Sequence, residues 1–197
     1  PGFDSFIPDN FEKNIIDARS NKNNIQSTLA ELRSVMDADD KLVFVWIGHG
    51  ARDEFGLPGG LPLPGMFPKV TAGELNGWVS GIQGQQIYFL QPCHSGSFID
   101  DLSGYNRIVC TSLSPDEIWG NSWIEKTIEG LQGSADTNKE YNGIQIGKGN
   151  NDGKVSIFET YCYSADYLWE ISSEHNNHSL IDDNSDGSDD IRRIDDD

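Results

Sequence analysis

Ile87-Tyr-Phe-Leu-Gln-Pro-Cys-His-Ser-Gly-Ser-Phe98 is the stretch that decides how this chain folds. An apolar run of strand length ends abruptly in Pro92, Cys93, His94, Ser95 and Gly96. A cysteine at the exit of a buried strand, on a turn of small and polar residues, stands where a reactive thiol would. Upstream, Lys41-Leu-Val-Phe-Val-Trp-Ile47 repeats the design and ends in Gly48-His49-Gly50. Two strands that release a His and a Cys at the same kind of position predict a Cys/His nucleophile pair.

The rest of the pattern says how the two strands are joined. The run at 41–47 does not alternate apolar with polar residues, so both its faces are expected to be buried, as in a parallel sheet covered by helices. A loop rich in Gly and Pro runs from Gly48 to Lys69, and loops of that length are usually functional or disordered. Thr71-Ala-Gly-Glu74 then reads as a capping box, opening a helix that carries Leu75, Trp78, Val79 and Ile82 and closes at Gly84. Loop and helix together are long enough for a right-handed parallel crossover. Such a crossover brings the carboxyl ends of both strands to one edge of the sheet, where ligands bind in open α/β folds.

Outward from this centre, Ile25, Leu29, Leu32, Val35 and Met36 predict a helix from about residue 24, ended by Asp37 to Asp40. Arg107 to Ser112 predicts a third strand. Ser122-Trp-Ile-Glu125 and Ser156-Ile-Phe-Glu159 are two more capping boxes. The first opens a helix with Trp123, Ile124, Thr127, Ile128 and Leu131 inward, the second one with Phe158, Tyr161, Cys162, Ala165, Leu168 and Trp169 inward. Residues 133–151 read as loop. After Ser172 the pattern dissolves, which divides the chain into a domain over 1–172 and an acidic tail over 173–197.

The chain of 197 residues carries a net charge of -18, of which the tail from Leu180 onward contributes about a third. That charge argues against nucleic acid and anionic membrane surfaces as partners, since both would repel it. Three cysteines, Cys93, Cys110 and Cys162, are too few and too widely spaced for a disulfide framework or a CxxC metal site. No apolar stretch has the length of a membrane span.

A thiol of ordinary pKa is mostly protonated at neutral pH, and an imidazole can take its proton and later return one to a leaving amine. His49 is the expected acid/base and Cys93 the expected nucleophile. The N–H groups of Gly50 and Cys93, at the two strand exits, are the expected oxyanion donors, with Gly50 leaving room for a substrate backbone. Ser95 and Gly96 shape the nucleophile turn. Strand geometry turns His94 away from Cys93, and His175 and His178 fall in the polar tail, where solvation is expected. The bland reading of Cys93 is a core cysteine, and that of His49 a loop histidine bonded to backbone.

Val43-Phe-Val-Trp-Ile-Gly-His-Gly50 followed by Ile87-Tyr-Phe-Leu-Gln-Pro-Cys-His-Ser-Gly96 resembles the caspase-like (clan CD) cysteine peptidases, with the legumain type nearest and metacaspases second. The resemblance covers roughly residues 20–170. It implies a three-layer α/β/α sandwich with a mostly parallel sheet, hydrolysis of a peptide or protein substrate through His49 and Cys93, and no required cofactor. The resemblance also places Gln91 in the substrate pocket, where these families usually carry an acid, and the strand that opens their fold has no evident counterpart ahead of residue 20. Asp116 and Glu117 sit where legumain-like enzymes line the substrate pocket. They admit a second reading, as an acidic pair at a helix entry. The rival to an enzyme is a caspase-like interaction module that binds peptide or calcium without cleavage.

Two stretches suggest calcium. Lys148 to Glu159 matches an EF-hand loop through Asn150, Asp152, Gly153, Ser156 and Glu159, with Lys148 replacing the first ligand. A plain turn into a capped helix accounts for the same residues. Asp182, Asn184 and Asp186, followed by Gly187, form a second such pattern without the closing Glu; its alternative is a solvated acidic tail. Acidity and these loops lean toward a secreted or cell-surface protein.

Overall fold

The computed structural model describes residues 18–57, 68–118, 123–137, 139–141, 143–170, 178–182 and 190–191. Helix α1 (Lys22–Val35) begins at Asn21, whose side chain accepts the Asn24 N–H at 2.9 Å and so satisfies one of the orphan donors of the first turn. Leu29 is buried, and Ile25, Leu32 and Met36 pack against the same core. Val35 is exposed instead, because six helical steps from Leu29 carry it about 120° off the buried stripe.

Strand β1 (Lys41–Trp46) follows, then a small antiparallel sheet of β2 (Gly50–Ala51), β3 (Glu54–Gly56) and β4 (Lys69–Thr71). The expected structureless stretch from Gly48 to Lys69 is therefore corrected on both flanks; residues 58–67 lie outside the described set. Helix α2 (Ala72–Val79) opens with the Thr71/Glu74 capping box in both directions. Strand β5 (Gln85–Leu90) leads through a single helical turn at 95–98 into α3 (Ile99–Leu102) and strand β6 (Arg107–Thr111). Helix α4 (Trp123–Glu129) comes next; Ser122, its expected cap, lies outside the described residues. The hairpin β7 (Lys139–Tyr141) and β8 (Ile144–Ile146) replaces part of the expected loop over 133–151, and α5 (Ile157–Glu170) opens on the Ser156/Glu159 box. Strands β9 (Leu180–Asp182) and β10 (Asp190–Ile191) close the chain.

The main sheet runs β1-β5-β6-β9-β10. Its β1, β5 and β6 are parallel, and β9 is antiparallel to β6 and β10 to β9. The protein is thus a mixed α/β fold with a largely parallel sheet. Because side chains alternate across a strand, β5 feeds two cores. Tyr88 and Leu90 join Leu42, Trp46 and Val109 under α1, α2 and α3. Ile87 and Phe89 join Cys110 and Ile181 under α4 and α5. Each such side chain contributes about 1.5–3 kcal/mol when fully buried, so the doubly covered β5 fixes the position of everything at its carboxyl end.

Burial differs from expectation at the margins. β1 is not covered on both faces: Val43 is 54% and Val45 48% exposed. Among the described residues it is the end strand, and the α4/α5 layer gathers over the sheet's centre. Ile128, Leu131 and Phe158, expected inside, are also exposed. Conversely, residues 179–182 do not dissolve into solvent. They are buried, with Leu180 to Asp182 entered into the sheet beside β6.

Candidate functional site

The parallel register of β1 and β5 pairs Trp46 with Leu90, and the Gln91 N–H continues it to the Trp46 carbonyl at 3.0 Å. His49 and Cys93 each lie three residues past that last pair. The two exits also touch. A Cβ on Gly50 would sit 2.5 Å from Pro92 Cβ and 2.8 Å from the Cys93 carbonyl oxygen, so only a residue without a side chain lets the His loop close on the Cys turn. Gly50 therefore accommodates this chain's own backbone.

Register also fixes where the Gly50 amide points. Gly50 pairs with Phe55 in the β2–β3 hairpin, and the neighbouring Gly56 N–H donates to the His49 carbonyl at 2.9 Å. Hydrogen-bonded and non-hydrogen-bonded pairs alternate in antiparallel ladders. Gly50 is consequently in a non-bonded pair, its N–H turned away from β3. The His49 side chain is exposed and Cys93 half-buried.

The turn after β5 is tightly held. His94 takes a left-handed conformation (φ 60°), donates its N–H to the Glu117 carbonyl at 2.7 Å and sets Nδ1 2.8 Å from the Pro115 carbonyl. Its ring faces residue 115, in keeping with an orientation away from Cys93. Ser95 is fully buried and its Oγ accepts the Leu113 N–H at 3.1 Å. At Gly96 a Cβ would lie 2.7 Å from Pro115 Cδ and 2.8 Å from Leu180 Cδ1. The Cys93 thiol donates to the Ile118 carbonyl at 2.8 Å. Burial pushes that thiol up from its ordinary value, opposed in part by the residue's own N–H. Burial and the Ile118 carbonyl both favour the thiol over the thiolate.

Segment 114–118 is thus the cover of the cysteine turn, and two side-chain pairs hold it. Glu117 accepts from the Ser114 and His178 N–H groups, both at 2.9 Å, and pairs with His178 Nδ1 at 2.5 Å. Burial works against ionisation of Glu117, but the His178 side chain and these amides outweigh it and hold the carboxyl below the usual range. Asp116 pairs with Arg52 on the β2–β3 turn, linking the His side of the site to the Cys side. Glu117 and Asp116 are therefore both engaged within the protein. Gln91, the other expected pocket residue, accepts the Ile124 N–H at 3.2 Å and so anchors the start of α4.

Sequence reading assigned His178 to solvent. It is half-buried, with its ring centroid 5.5 Å from that of Trp169. The antiparallel register Thr111↔Leu180 brings the residues before β9 alongside those after β6. Only the pairing of a three-residue strand decides this, and the signal for it, Leu180-Ile181 after a polar run, is faint.

The metal patterns fare differently. Asp182 is the last residue of β9 and 1% exposed; Asn184 and Asp186 lie outside the described residues, as does His175. Asn150 and Asp152 lie in the loop before α5, Ser156 caps that helix and Glu159 stands in its first turn. Among the described residues no three His, Cys, Asp or Glu side chains stand close enough to hold a metal as they are, and no helix is long and apolar enough to cross a membrane. No protein-family model matches the chain, and no curated protein matches it.

Proposed function

We propose that the protein is a cysteine endopeptidase with a caspase-like, three-layer arrangement, acting on peptide or protein substrates. The observation that carries this reading is the closure of the two strand exits on each other at Gly50 and Pro92-Cys93. A histidine and a cysteine at equal distance past a parallel pair, on loops in contact, are the parts a thiol acyl transfer needs.

In this mechanism a substrate entering beside Cys93 displaces the Ile118 carbonyl from the thiol. His49 takes the Sγ proton and sulfur attacks the scissile carbonyl carbon. The oxygen gains the negative charge and is met by the N–H groups of Gly50 and Cys93. Collapse breaks the C–N bond; the amine leaves with the proton from His49, and the acyl group stays on sulfur. Water, deprotonated by His49, then cleaves the thioester and restores the thiol. A thiol raised by burial needs such a base within the encounter, which is the role His49 fills.

A second reading, a peptide-binding module without catalysis, draws on the same thiol: a sulfur held protonated against a carbonyl is an unreactive sulfur. Cleavage of a diverse peptide library by wild type and Cys93→Ala separates the two. Hydrolysis that is lost in the variant, together with labelling of Cys93 by a peptidyl electrophile, is the expected result. Peptide binding that survives Cys93→Ala with no cleavage by either protein overturns the enzyme in favour of the module.

A further inference from the structure

Lys148 to Glu159 carries oxygen-bearing side chains at the third, fifth, ninth and twelfth places of a twelve-residue loop, glycine at the sixth, and a lysine where the first carboxylate belongs. A carboxylate reaches the loop from elsewhere in the chain. Asp136 Oδ1 accepts the Asp152 N–H at 3.0 Å and Oδ2 the Gly153 N–H at 3.1 Å, while its main-chain carbonyl accepts the Asn151 N–H at 3.0 Å. Gly149 permits this approach: a Cβ there would lie 2.2 Å from the Ala135 carbonyl oxygen and 2.3 Å from that of Asp136. Asn150 Oδ1 accepts the same Asp152 N–H at 2.9 Å, so this one donor holds the Asp136 and Asn150 oxygens side by side.

An independent observation comes from Glu159, at the twelfth place. The residue is 6% exposed; Oε2 accepts from Ser156 N–H and Oγ, and Oε1 is buried without a hydrogen-bond partner. The Ser156 N–H does most to hold this carboxyl below the usual carboxylate range, burial opposes it, and the Ser156 hydroxyl and the Asn150 N–H add to the lowering. The carboxyl therefore holds one oxygen buried and unsatisfied at the end of the loop. Buried charged oxygens without a donor are costly, and a cation removes that cost.

We propose that Asp136, Asn150, Asp152 and Glu159, with the Lys154 carbonyl, form a discontinuous calcium site in which Asp136 takes the place of the loop's first residue. Each carboxylate oxygen has two lone pairs, so the amide contacts of Asp136 leave it able to bind. Three carboxylates, a side-chain amide and a main-chain carbonyl are a hard, oxygen-only set, suited to Ca2+ and to its tolerance of irregular geometry above the strict octahedron of Mg2+. Binding draws Asp152 and Glu159 inward and supplies the missing partner of Oε1. It also ties the segment before β7 to the start of α5. The site is independent of whatever Cys93 does.

Calorimetric titration and thermal unfolding of the full chain with Ca2+ test it, with Mg2+ at matched ionic strength controlling for the net charge of -18. Saturable one-to-one Ca2+ binding is expected, with a rise in Tm that Mg2+ does not give. Asp136→Asn and Glu159→Gln should each bind at least tenfold more weakly, and Asp186→Asn as tightly as wild type. If Asp136→Asn does not fold, Asp152→Asn, at an exposed position, serves in its place. Non-saturable binding, an equal response to Mg2+, or wild-type affinity in the Asp136 or Asp152 variant overturns the proposal.

Discussion

Glu117 Oε1 and His178 Nδ1 stand 2.5 Å apart across sixty-one residues of chain, and the pair fastens the segment whose carbonyls hold the Cys93 thiol and the His94 amide. His178 reaches it from the residues ahead of β9, Glu117 from those after β6. The cysteine turn is therefore secured by a part of the chain that reads, in sequence, as a tail.

That pair predicts a pH dependence. The folded Glu117 carboxyl lies below its ordinary value, so its stabilising contribution is fully present above the unfolded carboxylate pKa of about 4.3 and is lost as pH falls through the lower folded value. Glu117→Gln should flatten the acid limb of the stability curve over that window. His178→Ala should cost about 1–2 kcal/mol at neutral pH through the lost charged hydrogen bond. Urea unfolding between pH 3 and 7 checks both; an acid limb unchanged in Glu117→Gln would show that the pair contributes nothing.

Alkylation of Cys93 should report a thiol that is reluctant to ionise. Burial raises it and the Ile118 carbonyl accepts its proton, so the iodoacetamide rate is expected to climb through the alkaline range with a midpoint above the ordinary value of about 8.5. A midpoint below neutrality would contradict the resting hydrogen bond. Cys110 and Cys162 are buried and should stay unlabelled until the protein unfolds.

Two glycines offer a matched contrast. Gly50→Ala places a methyl against Pro92 and the Cys93 carbonyl and should destabilise by about 1–3 kcal/mol, lowering any peptidase kcat more than tenfold by parting the two exits. Gly77→Ala, inside α2 with nothing within 4 Å of the new Cβ, should be neutral or stabilise by up to about 1 kcal/mol. Thermal unfolding of both variants, read beside their labelling rates, decides whether the Gly50 effect is local to the site.

Gln91 gives a prediction about specificity. Its Oε1 accepts the Ile124 N–H, so Gln91→Glu should fold normally, the carboxylate being favoured at a helix start. It should not raise cleavage after Arg or Lys, because that acceptor faces α4. Gln91→Leu should cost about 1 kcal/mol by leaving the helix start without its acceptor. Peptide profiling of Gln91→Glu against wild type is the measurement; a gain for basic residues would place residue 91 in the pocket.

The sequence by itself determined the centre of this protein. Unbroken apolar runs at 42–47 and 87–90, a capped helix between them, and the abrupt Gly-His-Gly and Pro-Cys-His exits are local signals, each written in neighbouring residues, and together they point to a parallel pair with His and Cys at one rim. Tertiary structure alone decided what surrounds that rim. The short strands β2, β3, β7, β8 and β9 are below the length at which a period of two can be read, so their hydrogen bonds come from partners distant in the chain. Register, not composition, turned the Gly50 amide away from its hairpin and brought His178 to Glu117, and long-range loop hydrogen bonds set Asp136 against the loop before α5. Those contacts depend on which backbones end up 5 Å or so apart across the sheet, and no stretch of residues carries that information alone.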